Sequence, residues 1–170
     1  MNSYQELWWQ QAICDHDAFQ RMRSLGFAQC HTLQFLQMAT EKIAKAHLWR
    51  SGHAPPKKHA VFVLFMRLLG QQIKNDHRAR IAKLFAFSRF EDFQNWLFSV
   101  IPIAYALQQV TPDLSNDGPN PEYPWPHGKP LFAPAHHDFD VWTQLKTGQG
   151  RHLMRFVEIA IERFPDYADM

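Results

Sequence analysis

Cysteine and long apolar runs are the scarcest features of this chain. Its two cysteines, Cys14 and Cys30, cannot form a disulfide framework, which favours a reduced, cytoplasmic protein. No apolar run approaches the roughly 20 residues that cross a bilayer. Residues Met1–Gln10 lack the basic segment and apolar stretch of a secretory signal peptide. The sequence therefore predicts a cytoplasmic protein that does not contact a membrane.

The common catalytic and cofactor-binding motifs are also absent. The chain has neither G-x-x-x-x-G-K-[ST] nor G-x-G-x-x-G, the two glycine-rich loops that hold phosphates, and it lacks H-E-x-x-H, G-x-S-x-G and C-x-x-C. Histidines and acids of one segment could gather around a metal: His127, His136, His137, Asp138 and Asp140. Their spacing is not helical, and an N-cap at Asp138 is the simpler interpretation. We therefore expect no metal and no cofactor.

The residues that are present predict one helical domain. The chain has 170 residues, 46% hydrophobic and 14% aromatic, enough for a single core made of bulky side chains. Apolar residues recur with helical spacing, and S-x-x-E capping boxes occur at Ser3–Glu6 and Ser88–Glu91. The predicted helices are Tyr4–Arg23, Ala28–Arg50, Lys57–Lys74, Asp76–Phe87, one that follows Ser88 and is kinked or ended by Pro102, and one from Asp138 to Phe164 with a break at Gly148–Gly150. The predicted core contains Leu33, Leu36, Ile43, Phe62, Phe65 and Leu69.

A proline-rich segment, residues 111–137, separates the last predicted helix from the others. It holds seven of the eleven prolines, and a loop of this length inside a compact domain is uncommon. It is not simply polar, since it contains Tyr123, Trp125, Leu131 and Phe132. We expect these side chains to hold the loop against the helices.

Charge is distributed unevenly along the chain. Residues 42–89 contain eleven lysines and arginines and a single acid, Asp76, for a net charge of +10. The remaining residues carry seven bases and fifteen acids. Such a basic stretch can bind a polyanion, although the two parts could equally pair with each other in the fold or across a dimer.

Three segments of the first three predicted helices carry a pattern of their own. The first helix contains Leu7-Trp8-Trp9, Leu36–Leu48 of the second contains the spacing Q-x-A-x-E-K-x-x-K, and His59 lies at the start of an apolar helix. Over about residues 4–65, this pattern resembles the HEPN domain family. The resemblance implies an all-α, up-and-down helical bundle, commonly paired as a homodimer, here with the long proline-rich loop before the C-terminal helix.

The resemblance implies several functions. Some HEPN domains are ribonucleases with an Arg-x4–6-His motif, which no arginine of this chain satisfies. Others bind nucleotides or RNA, or accompany a nucleotidyltransferase. Lys42 precedes His47 by five residues, but lysine does not replace the fork-shaped guanidinium group of arginine.

We therefore expect a non-catalytic module that binds a nucleotide or RNA. Its phosphate contacts are predicted to come from Lys42, Lys45, Lys57, Lys58, His59, Arg78 and Arg80. One alternative is a protein-interaction partner of a nucleotidyltransferase in a two-protein system. The other is a divergent ribonuclease that uses Arg151, His152 and Arg155.

Overall fold

A computed structural model describes residues 1–115, 118–126 and 131–170 and confirms the all-α class. Within that part of the chain, the sheet structure is a single two-stranded pair. The helices are α1 (Ser3–Ser24), α2 (Gln29–Leu48), α3 (Phe62–Gly70), α4 (Asn75–Leu84), α5 (Phe90–Gln108), α6 (Pro112–Ser115), α7 (Asp140–Leu145) and α8 (Gly148–Glu162). The strands are β1 (Trp125–Pro126) and β2 (Leu131–Phe132). No helix in the described ranges is long and apolar enough to cross a membrane.

The core lies around α2 and is rich in aromatic rings. All six residues predicted for the core are buried, each at most 1% exposed. Phe85 stacks on Phe156 with ring centroids 5.3 Å apart, and Phe65 lies 5.9 Å from the same ring. These contacts join α3, the end of α4 and α8, since apolar stripes on separate helices are buried only where the helices meet.

Several helix boundaries differ from the prediction. Helix α3 begins at Phe62 and not at Lys57, because residues 52–61 form a loop that contains Pro55 and Pro56. Helix α5 continues through Pro102 to Gln108. Proline removes one backbone hydrogen bond from a helix, and the neighbouring turns of α5 continue across this position. Helices α7 and α8 are separated at Lys146 and Thr147, ahead of the two glycines.

The first helix is capped by Asn2 and not by Ser3. The Asn2 side chain accepts a hydrogen bond from the Gln5 backbone N–H (3.0 Å), while the Gln5 side chain accepts one from the Asn2 N–H (2.9 Å). Asn2 Nδ2 also donates to the Trp49 carbonyl (3.0 Å) and so connects α1 to the end of α2. The predicted box was wrong by one residue. At the second predicted box the helix does begin, but its N-cap Arg89 makes no side-chain cap bond.

Asn2→Ala is expected to lower the free energy of unfolding by about 1 kcal/mol, the usual loss for an N-cap side chain. Ser3→Ala is the matched control and should change it by less than about 0.5 kcal/mol, since Ser3 is exposed within the helix. Urea denaturation of both variants measures the difference. A larger loss for Ser3→Ala would mean that the box begins at Ser3 after all.

Only some of the side chains predicted to hold the proline-rich loop against the helices are buried. Trp125 is buried and stacks on Phe132 across the β1–β2 pair, with centroids 6.0 Å apart. Tyr123 and Leu131 are exposed, contrary to the prediction. Asp138 is not an N-cap; its carboxylate accepts a hydrogen bond from Gln29 of α2 (2.9 Å). His127 lies outside the described residues.

Candidate ligand-binding site

A hydrogen-bonded polar cluster lies on one face of α2. Gln37, Glu41 and Lys45 follow each other at intervals of four residues, which places them on one side of a helix. Gln37 Nε2 donates to Glu41 Oε2 (3.1 Å), and Lys45 Nζ donates to Glu41 Oε1 (2.5 Å). His59, from the loop before α3, places its Nδ1 atom 2.7 Å from Glu41 Oε2. The cluster therefore joins a buried carboxylate to three donors.

Glu41 is charged at neutral pH despite its burial. Its side chain is only 9% exposed, and burial by itself acts to raise the pKa of a carboxyl group. The hydrogen bonds from Lys45, His59 and Gln37 outweigh that effect and hold the pKa of Glu41 below its ordinary value. Glu41 is therefore a fixed negative charge that orients the three side chains around it.

A second buried ion pair lies on the neighbouring side of α2. Lys42 Nζ donates to Asp15 Oδ2 of α1, and Gln11 Nε2 donates to Asp15 Oδ1 (3.1 Å). Asp15 is almost fully buried. The predicted phosphate ligands Lys42 and Lys45 are thus each neutralised by a carboxylate of the protein itself.

His59 lines two clefts. The first, which we call the aromatic cleft, has a volume of about 370 Å³. Its lining contains Trp8, Lys45, Trp49, Pro55, Pro56, Lys57 and His59. Lys45 Nζ lies 5.2 Å from the Trp8 ring centroid, and Trp49 stacks on Tyr4 with centroids 4.2 Å apart. This cleft therefore combines flat aromatic surfaces with positive charge.

The second cleft that His59 lines we call the acidic cleft. It has a volume of about 350 Å³ and is lined by Gln37, Glu41, Lys42, His59, Asp113, Glu122 and Tyr123, among others. Asp113, in α6, places Oδ2 3.3 Å from His59 Nε2. Glu122 accepts a hydrogen bond from Gln34 (3.0 Å). The imidazole of His59 therefore faces one carboxylate at each ring nitrogen.

The remaining predicted phosphate ligands are divided between two places. Lys57 and Lys58 are exposed on the loop before α3 and form no ion pair with any described residue, and Lys57 lines the aromatic cleft. Arg78 of α4 is paired with Glu91 and lies over the Phe90 ring at 4.8 Å. Arg80 Nη1 lies 3.9 Å from Asp169. Arg78 and Arg80 thus have acidic partners of their own and line neither cleft.

The candidates for a divergent ribonuclease lie together on the exposed face of α8. Arg151 Nη1 donates to the Lys146 carbonyl (2.9 Å), and the His152 ring packs 6.2 Å from that of Trp96. Arg155 is exposed one turn further along. None of the three lines the aromatic or the acidic cleft.

His47 is a neutral core residue. It is fully buried, and its ring lies 5.1 Å from Phe65 and 6.0 Å from Tyr167. Burial, with a smaller contribution from the nearby Arg50, lowers the pKa of His47 to about 3. Neither ring nitrogen has a hydrogen-bond partner among the described residues. The Lys42–His47 spacing therefore does not correspond to a surface pair that could act on a ligand.

No family model, curated protein or solved structure matches this chain. Within the described ranges, no group of three or more histidine, cysteine, aspartate or glutamate side chains is arranged to hold a metal ion. The chemistry of the two clefts is therefore the basis for a functional assignment.

Proposed function

We propose that this protein is a non-catalytic module that binds a nucleotide, alone or within single-stranded RNA, in the aromatic cleft. The observation that carries the proposal is the lining of that cleft, where two tryptophans lie beside a lysine without an ion-pair partner among the described residues. Every base has a π-face, and stacking on an aromatic side chain is worth roughly 1–3 kcal/mol per base. Trp8 and Trp49 offer such surfaces, and Lys57 offers a charge for the phosphate.

The volume and the charge of the cleft support a single nucleotide as the bound unit. About 370 Å³ lies at the lower end of the range of small-molecule sites. Lys58 follows Lys57 on the exposed loop and adds a second cation near the cleft. The similarity of residues 4–65 to HEPN domains, some of which bind nucleotides or RNA, agrees with this proposal.

Lys42 and Lys45 have a different role in this proposal from the one expected of them. A lysine whose charge is already paired with a buried carboxylate contributes little to phosphate affinity, because binding would require that pair to break. Lys42 and Lys45 therefore shape the site, while Lys57, Lys58 and His59 contact the ligand.

A second candidate function, protein interaction, is favoured by an exposed apolar face on α3 and α5. Val63 N–H donates to the Gln108 side chain (3.3 Å), and Gln94 Nε2 donates to the Gly70 carbonyl (2.6 Å), so the two helices run in opposite directions. Their outer sides expose Leu64, Phe98 and Tyr105. Exposed apolar surface of this kind often marks an interface. We propose that this face of α3 and α5 binds a second copy of this chain or a nucleotidyltransferase partner.

Changing Lys57 and Lys58 together to glutamate is expected to weaken binding of a labelled oligouridylate at least about tenfold at low salt. For single strands the logarithm of affinity falls with the logarithm of salt concentration by about 0.7 per phosphate contact, so losing two contacts should reduce that slope by about 1.4. Fluorescence anisotropy at several salt concentrations measures both quantities. Oligoadenylate should be affected equally, since phosphate contacts do not read sequence.

The matched control is Lys74→Glu with Lys83→Glu, which reverses the same number of exposed charges at the N-cap and in the last turn of α4, outside both clefts. It should leave affinity within about twofold of the wild type. A larger effect in the control than in the Lys57 and Lys58 variant would place binding on α4.

Competition with mononucleotides separates two kinds of site. A mononucleotide that displaces the labelled oligonucleotide indicates a site for a free nucleotide, and one that does not displace it indicates a site that needs a strand. No binding at low salt would favour protein interaction, and chelator-resistant RNA cleavage that is lost in His152→Ala would favour the ribonuclease.

A further inference from the structure

The two carboxylates that face His59 are held very differently. Glu41 is buried and accepts hydrogen bonds from Lys45 and Gln37 as well as contacting His59 Nδ1. Asp113 is 74% exposed, and His59 Nε2 is its sole ionic partner among the described residues. Glu41 therefore fixes the ring, whereas Asp113 can leave it without exposing a buried charge.

The contacts of His59 define the chemistry of an anion site. Nδ1 and Nε2 of His59 each face a carboxylate oxygen, at 2.7 Å and 3.3 Å. A ring N–H at Nε2 is a donor aimed at an anionic oxygen, which is what a phosphate group requires. His59 lines both clefts, so the same side chain contacts Asp113 of the acidic cleft and forms part of the wall of the aromatic cleft.

We propose that His59 Nε2 is a phosphate subsite and that Asp113 occupies it in the free protein as an internal competitor. This inference rests on the proposed nucleotide-binding function and adds the group that receives the phosphate. The contact between His59 and Asp113 is exposed to solvent, so it contributes little to stability. A phosphate that also contacts Lys57 can therefore displace Asp113, and α6, at the start of the proline-rich loop, loses that contact when the ligand binds.

Asp113→Asn tests the competition directly. The substitution keeps the size of the side chain and removes the charge that competes for Nε2. Affinity for oligouridylate and for uridine monophosphate should increase about two- to fivefold, the range expected when an exposed ion pair is lost. Glu122→Gln is the matched control, because it makes the same change in the same cleft at a residue hydrogen-bonded to Gln34. Glu122→Gln should increase affinity by less than half of the increase that Asp113→Asn produces.

The test is completed by His59→Gln, alone and combined with Asp113→Asn in a double variant. His59→Gln alone should weaken binding, and adding Asp113→Asn to it should then have no further effect, since both act at one atom. Thermal unfolding of each variant checks that the fold is intact. Equal gains for Asp113→Asn and Glu122→Gln, or a full gain in the His59→Gln background, would overturn the subsite while leaving the nucleotide-binding function standing. A wild type and an Asp113→Asn variant that both fail to bind either probe at low salt would overturn both.

Discussion

Gly150→Ala is expected to lower the free energy of unfolding by about 3 kcal/mol or more, the upper range for a steric clash in a packed site. A Cβ atom at this position would lie 2.2 Å from the Gln144 carbonyl oxygen and 2.5 Å from backbone atoms of Leu145. Those atoms belong to α7, so they cannot move without separating α7 from α8. Gly150 is thus required by the close approach of two helices.

Gly148→Ala is the control for this prediction. A Cβ at Gly148 would meet only the end of the Arg151 side chain, at 3.8 Å. Glycine in a helix costs roughly 0.5–1 kcal/mol relative to alanine, so this substitution should leave stability unchanged or raise it slightly. Chemical denaturation of both variants measures the difference, and equal midpoints would show that α7 and α8 are less closely packed than described.

The same two glycines show what could be predicted from the sequence. Helical periodicity predicted the α-helices and a core whose six named residues are all buried. The sequence also predicted a break at Gly148–Gly150, because glycine is a weak helix former. The break lies two residues earlier, at Lys146 and Thr147, and Gly150 serves packing between helices. Contacts between helices depend on side chains that are distant in sequence, and a local pattern does not contain them.

The candidate site likewise contains some contacts that the local sequence indicates and others that it does not. The Glu41–Lys45 pair could be predicted because its partners are four residues apart on one helix, and His59 was indicated by the resemblance of residues 4–65 to HEPN domains. Asp15, which neutralises Lys42, lies on another helix, and Asp113 lies in a segment without periodicity. Lys42 is therefore paired where the sequence predicts a phosphate contact, since no residue near it in the sequence indicates Asp15 as its partner.

Glu41→Ala is expected to lower the free energy of unfolding by about 3–5 kcal/mol, the cost of removing one partner from a buried ion pair. Lys45 is only 11% exposed and would lose its carboxylate, while Gln37 and His59 would lose an acceptor. Glu41→Gln should cost less, because an amide of the same shape can still accept one hydrogen bond. Urea denaturation at neutral pH compares both variants with the wild type.

The pH dependence of the Glu41→Gln effect separates lost charge from lost packing. The pKa of Glu41 in the folded protein lies below its ordinary value of 4.5, so the native state favours the ionised form. Its contribution to stability is then complete above that value and declines as the pH falls through the folded pKa. The difference in unfolding free energy between wild type and Glu41→Gln should therefore be largest at neutral pH and shrink below about pH 4.5. A difference that stays constant from neutral to acid pH would show that the carboxylate charge does not hold Lys45 and His59 in place, and that Glu41 acts through its shape alone.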